Sequence, residues 1–359
     1  MLANKNFTQI HQNMNKEIQY IFKYLSVYTN VGVDIQEALG MVGRRIKHKN
    51  ISSVLESVRR GITEGKSVKE SFAHLSRGGF IDSVIESILD TAENSGDIPK
   101  SFMNISEYIK EHLKTKASLI GALIYPVGMF IASMTMIYFL IVMIFPKILP
   151  LFSSMNVTLP LSARLILGIS NFLNSWGIYL VCLGVLVFCT MGLLYIKKDI
   201  FKLIIQTFVL KLPYIGSIIR AKEYISISRS IGLLMQNHKT LAESLYTASE
   251  STKVLPFKGS LFNVLVSIES GKKVSDQFMS EDIFDDEWVD LLSVGEVTGS
   301  LPKAFSDISA LYSERYKDNI QTLVRVSEPL ALICSAFVVL IVALAVIQPM
   351  YSLIQHMHG

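Results

Sequence analysis

Cysteine is nearly absent: Cys182, Cys189 and Cys334 are the three in 359 residues, and each stands inside an apolar run. Neither disulfide nor zinc-ligand spacing is open to them, so a stapled scaffold and a zinc module are both excluded. They read as small buried hydrophobes. Charge is scarce too. Only 18% of residues are charged against 50% hydrophobic, and the mean hydropathy of +0.40 is too high for a plain soluble chain. A net charge of +4 is poor support for nucleic-acid binding. Acidic residues are missing altogether from 119–196 and beyond 328. The polar stretch from Met1 to Ile21 holds no apolar core of signal-peptide length, so the expectation is insertion through internal spans.

Three runs are long enough to span a hydrocarbon core, which takes about 20 helical residues: Leu119 to Phe145, Trp176 to Ile196 and Leu330 to Ile347. Of the Lys and Arg residues only Lys147 and Arg164 lie between the first two runs, and none follows the third. The positive-inside rule therefore puts both long charged segments in the cytoplasm. The expected organisation is a cytoplasmic bundle (1–116), a first span (117–146), a short periplasmic loop (147–175), a second span (176–196), a second cytoplasmic bundle (197–326), a third span (327–349) and a periplasmic tail (350–359). The N-terminus is thus expected in the cytoplasm and the C-terminus in the periplasm.

The two bundles are copies. Glu93-Asn94-Ser95-Gly96-Asp97-Ile98-Pro99-Lys100-Ser101-Phe102 returns as Glu296-Val297-Thr298-Gly299-Ser300-Leu301-Pro302-Lys303-Ala304-Phe305, at a constant offset of 203. The register continues through Glu111/Glu314, Lys114/Lys317 and Pro126/Pro329. Earlier in each copy the offset is 206, as in Glu37/Glu243, Phe72/Phe278 and Gly65-Lys66/Gly271-Lys272, so three residues were lost in a loop before the fifth helix. Apolar residues recur at helical spacing, as in Ile18, Ile21, Phe22 and Leu25. The fold class is all-α: a polytopic membrane protein with two homologous helical bundles, each of about six helices, and three transmembrane helices.

The repeated stretch is the corner between a fifth helix, expected over Phe80 to Ala92, and a sixth beginning near Pro99. Gly96 and Gly299 suit a left-handed helix stop, and Pro99 and Pro302 suit a first helical turn. Glu93 and Glu296 face the negative end of a helix dipole. Their expected role is a hydrogen-bonded brace, compensated by the free N–H groups of the next helix, with contact to a partner protein or a bound cation as the alternative. Pro126 removes a hydrogen bond inside the first span and is expected to kink it, with Pro329 at the matching place in the third.

Other motifs carry less. Gly61-Ile62-Thr63-Glu64-Gly65-Lys66-Ser67 resembles a phosphate loop but has three residues between its glycines instead of four and follows a helical pattern. Ser67 with Glu70 reads instead as a helix cap. Glu281, Asp282, Asp285, Asp286, Glu287 and Asp290 form an acidic cluster absent from the first copy. It lacks calcium-loop spacing and reads as helix-start carboxylates, with an acidic partner-docking surface or an adventitious divalent cation as the sharper alternative. Glu328, at the inner edge of the third span, is expected to pair with Arg325. His356 and His358 lack further ligands for a metal. No catalytic set, cofactor or metal site is indicated.

With these residues in view, Glu-x-x-Gly-x-Leu/Ile-x-x-x-Phe twice, each copy leading into a span, the chain resembles the inner-membrane platform proteins of type II secretion and type IV pilus machines over roughly residues 15–350. The resemblance implies a non-enzymatic scaffold. Its implied partners are a hexameric assembly ATPase, pilin or pseudopilin subunits, other inner-membrane assembly proteins, the lipid bilayer and further copies of itself. The competing reading, a small transporter or channel component, would need polar or broken spans converging at mid-membrane, and Glu328 lies at an edge.

Overall fold

The computed structural model describes residues 2–46, 48–139, 199–268 and 271–357, with isolated residues between 143 and 192. Thirteen α-helices and no strands occur among the described residues. In chain order they are α1 (Leu2–Asn30), α2 (Ile35–Gly43), α3 (Lys49–Thr63), α4 (Val68–Arg77), α5 (Ser83–Ser95), α6 (Ile98–Phe139), α7 (Asp199–Lys211), α8 (Ile215–Gln236), α9 (Leu241–Ser251), α10 (Leu255–Ile268), α11 (Val274–Met279), α12 (Asp286–Val297) and α13 (Leu301–Met357). The expected second span (176–196), the loop before it with Pro146, Pro150 and Pro160, and His358 lie wholly or mostly outside the described residues.

The chain forms two compact units, residues 1–118 with 203–319 and residues 119–202 with 320–359. In the first, local capping starts the helices. Asp34 accepts from the Gln36 amide (2.9 Å), Ser67 from Glu70 (3.1 Å), and Thr240 with Glu243 closes a reciprocal capping box. The first module's core gathers Ile18, Phe22, Leu25, Phe72, Ile88 and Phe102, all essentially excluded from solvent. Burying each such large side chain stabilises the fold by roughly 1.5–3 kcal/mol. The second module repeats this with Ile227, Ile231, Phe278, Leu292 and Phe305 around a wider ring cluster of Tyr224, Phe257, Phe284, Trp288 and Tyr312.

The two bundles are not separate bodies: α8 and α9 of the second module pack on α5 of the first. Leu234 of α8 completes the first module's core. Helices α7 and α8 together are long and apolar enough to cross a membrane, but they bend by 109° across Leu212-Pro213-Tyr214. The second member instead buries Tyr224, Ile227, Ile231 and Leu234 within the bundle.

In the second unit, α6 and α13 carry the apolar stretches long enough to cross a membrane. Their apolar side chains, Phe130, Ile131, Ile333 and Phe337 among them, are exposed, as a lipid-facing surface requires. Ser335 donates a hydrogen bond to Ser133 at 3.0 Å, joining the two helices. Both helices run on through Pro126 and Pro329 without interruption.

Candidate functional site: two corners and a seam

Each corner is built alike. Helix α5 ends at Ser95 and Gly96 turns left-handed with φ 71°; Gly299 does the same after α12 with φ 69°. A side chain is strained there, which is why glycine stands at both places. Pro99 and Pro302 are the second residues of α6 and α13, where no amide partner is required. Phe102 and Phe305, one turn on, are completely buried and tie each closing helix to its core.

The amides that take the corner carboxylates belong to an earlier helix than the sequence suggests. Glu93 accepts from the Val68 amide at 2.8 Å, at the start of α4 rather than α6. Glu296 accepts from Val274 N (2.7 Å), Ser275 N (2.9 Å) and Ser275 Oγ (2.6 Å), at the start of α11. The negative charge thus leaves its own unfavourable helix end and meets a positive one. Partial burial pushes the Glu296 carboxyl up, but the bonds from Ser275 and Val274 outweigh it and hold the group below the usual range.

The acidic cluster separates into different jobs. Asp285 caps α12 through the Trp288 amide (3.0 Å) and accepts from the Tyr312 hydroxyl. Glu287 pairs with Arg315, and Glu281 accepts from Asn263 (3.0 Å). Asp282, Asp286 and Asp290 stay exposed. The cluster is not wholly new to the second copy: Asp285 matches Asp82, which caps α5 through Ile85 (3.1 Å) and accepts from Tyr108 (3.0 Å). Sequence reading missed this pair because the tyrosines are offset by 204 rather than 203. Burial lifts the Asp82 carboxyl above its ordinary value, against the pull of its hydrogen bonds from Ile85 and Tyr108. Near it, His112 packs edge-on against Tyr108 at 4.6 Å; burial, with Arg229, Lys222 and Lys253, pulls its pKa down to about 4.

Among the described residues no ion pair joins Glu328 to Arg325; both are exposed on α13. The phosphate-loop look-alike is also accounted for. Gly61 is helical, and a Cβ there would meet Ser71 Oγ at 2.8 Å, so its smallness lets α3 and α4 close together. Lys66 is paired with Glu64 at 2.7 Å and Ser67 is the cap of α4.

Between the modules runs a polar seam. Lys239 bridges to Asp90 (2.9 Å), Asn104 donates to Asn237 (3.2 Å), Ser83 and Ser251 share a hydrogen bond (2.6 Å), and Arg229 lies 3.9 Å from Glu111. A cleft of about 260 Å³ opens along it, lined by Tyr108, Arg229, Gly232 and Ser309 among others. Arg229 faces Glu111 within it, and the described residues assemble no nucleophile with an adjacent base there.

A helical bundle made twice, each copy closed by a helix that continues as an apolar span, defines a class of all-α, multi-pass membrane proteins built on an internal repeat. The family described as Type II secretion system (T2SS), protein F matches at residues 21–146 and again at 227–349, once per copy, and the chain belongs to this family. It is 22% identical to the type II secretion system protein F of Pseudomonas aeruginosa, covering 95% of this chain and 83% of that one. It is 19% identical to the type IV pilus assembly protein PilC of the same species (88% and 83%) and 20% identical to PilC of Thermus thermophilus (94% and 83%). The family expected from the repeated motif is therefore borne out.

Proposed function

We propose that the chain is the inner-membrane platform of a type IV pilus or type II secretion machine, a scaffold rather than an enzyme, coupling a cytoplasmic assembly ATPase to pilin or pseudopilin polymerisation. Relatives named for both machines support the setting. The observation that carries the coupling is continuity: α6 and α13 each begin at a corner, close a bundle, and continue unbroken into an apolar, lipid-exposed stretch. A rigid helix transmits displacement of one end to the other, whereas a loop absorbs it. The flanking charge supports both bundles, and the N-terminus, in the cytoplasm and the C-terminus in the periplasm.

The test interrupts that continuity. A flexible Gly-Ser insertion after Lys116 or after Arg325 is expected to abolish fibre assembly or secretion while leaving membrane insertion and protein level unchanged. Normal assembly in both variants would sink the coupling role.

A further inference from the structure

The internal repeat turns the seam into a template. The face that α8 and α9 press onto the first module has a counterpart 206 residues earlier on α1 and α2, which is left exposed among the described residues. Arg229, Ser230, Leu233, Asn237 and Ser251 correspond to Lys23, Tyr24, Val27, Val31 and Arg45. The uncovered version is the more apolar of the two, yet Tyr24 is 39% exposed, Val27 45% and Val31 72%. Arg45 lies over the Tyr24 ring at 5.7 Å, so the patch has a basic border.

The receiving face has a counterpart as well. Ser83, Asn104 and Glu111 correspond, at the offset of 203, to Asp286, Asp307 and Glu314 on α12 and α13. All three are exposed, and Val294 and Val297 stand open beside them. Among the described residues, Lys23, Arg45, Asp286 and Glu314 enter no ion pair within the chain.

We propose that these two open faces are made for each other across two copies of the chain: the α1–α2 face of one docks on the α12–α13 face of the next, in the register α8–α9 uses on α5–α6. Arg45 then meets Asp286 where Ser251 meets Ser83, and Lys23 meets Glu314 where Arg229 meets Glu111. The register thus pairs opposite charges at two positions around an apolar centre of Tyr24, Val27, Val294 and Val297. Pairing α1 with α1 of a second copy would instead set Lys23 and Arg45 against like charges. The resulting contact is head-to-tail and heterologous, so it propagates until rotation closes a ring.

Crosslinking of the full-length chain in its native membrane tests this. In a background with Cys182, Cys189 and Cys334 replaced by Ser, a chain carrying both Arg45→Cys and Asp286→Cys is expected to give covalent dimers and a higher ladder on oxidation. Either cysteine alone gives none. Light scattering of the detergent-solubilised protein supplies the second arm: Arg45→Asp or Asp286→Arg is expected to weaken self-association by about tenfold, and the double variant to restore it. Dimers from Arg45→Cys alone would establish symmetric face-to-face pairing and overturn the proposal. So would a monomer without crosslinks, which would leave the faces to a different partner, and so would a double variant no better than either single one.

Discussion

In both modules the matching phenylalanines, Phe72 with Phe102 and Phe278 with Phe305, pack with a further ring, but that ring comes from different helices. The first uses Phe22 of α1 against Phe72 and Phe102, at 5.6 and 5.9 Å. The second uses Trp288 of α12 against Phe278 and Phe305, at 4.7 and 6.0 Å. Where Phe22 stood, the second copy has Ser228, whose hydroxyl accepts the indole N–H at 3.0 Å; where Trp288 stands, the first has Ile85. A large residue gained on one helix is matched by one lost on its neighbour. What the duplication preserved is core volume and the apolar pattern, not which helix supplies each atom.

That exchange gives the largest expected effect. Trp288→Ala should cost about 3–5 kcal/mol by cavity formation, read as a drop in the thermal midpoint by circular dichroism in detergent. Grafting the first module's pair, Trp288→Ile with Ser228→Phe, should recover most of it. If the graft is as damaged as Trp288→Ile alone, the two cores are not equivalent.

The corners differ next in size. A Cβ on Gly295 would fall well inside contact distance of the Ala304 Cβ, so α12 and α13 meet more closely there than α5 and α6 do at Ala92 and Ser101, the matching positions. Gly295→Ala should destabilise by about 1–3 kcal/mol through overpacking, and Ala304→Gly in the same chain should relieve it. No relief would mean the strain lies elsewhere.

Smaller still is the contrast between the carboxylates. Glu296→Ala leaves two amides and a hydroxyl without their partner and should cost roughly 1–3 kcal/mol. Glu93→Ala, with one amide at stake, should cost less. Because the folded Glu296 carboxyl lies below its ordinary value of 4.5, its contribution is complete above that pH and is lost as pH falls through the folded value. Glu296→Gln should therefore flatten the acid side of the stability profile, and an unchanged profile would remove the carboxylate from the account.

How much of this was legible follows from distance along the chain. The corner glycines and prolines could be read because each acts within a turn or two of its own position, and Phe102 and Phe305 because they recur at the constant offset of the repeat. The start of α5 was placed too early, at Phe80 rather than Ser83, because the cap at Asp82 sets the boundary and the apolar spacing alone does not reveal it. The seam was invisible for a different reason. Asp90 with Lys239 and Asn104 with Asn237 join residues that look like ordinary solvated polar groups until the modules are stacked. The same holds for Arg45 and Asp286, whose meaning depends on knowing what their counterparts do.

Leu234 gives the fold a timetable. It is part of the first module's core, yet the ribosome reaches it 125 codons after Ile109, the last of that module's own core residues. At a synthesis rate of about 5–20 residues per second, this is a delay on the order of ten seconds. Until then the N-terminal bundle lacks one of its buried core side chains, so the first half of the protein is completed by the second.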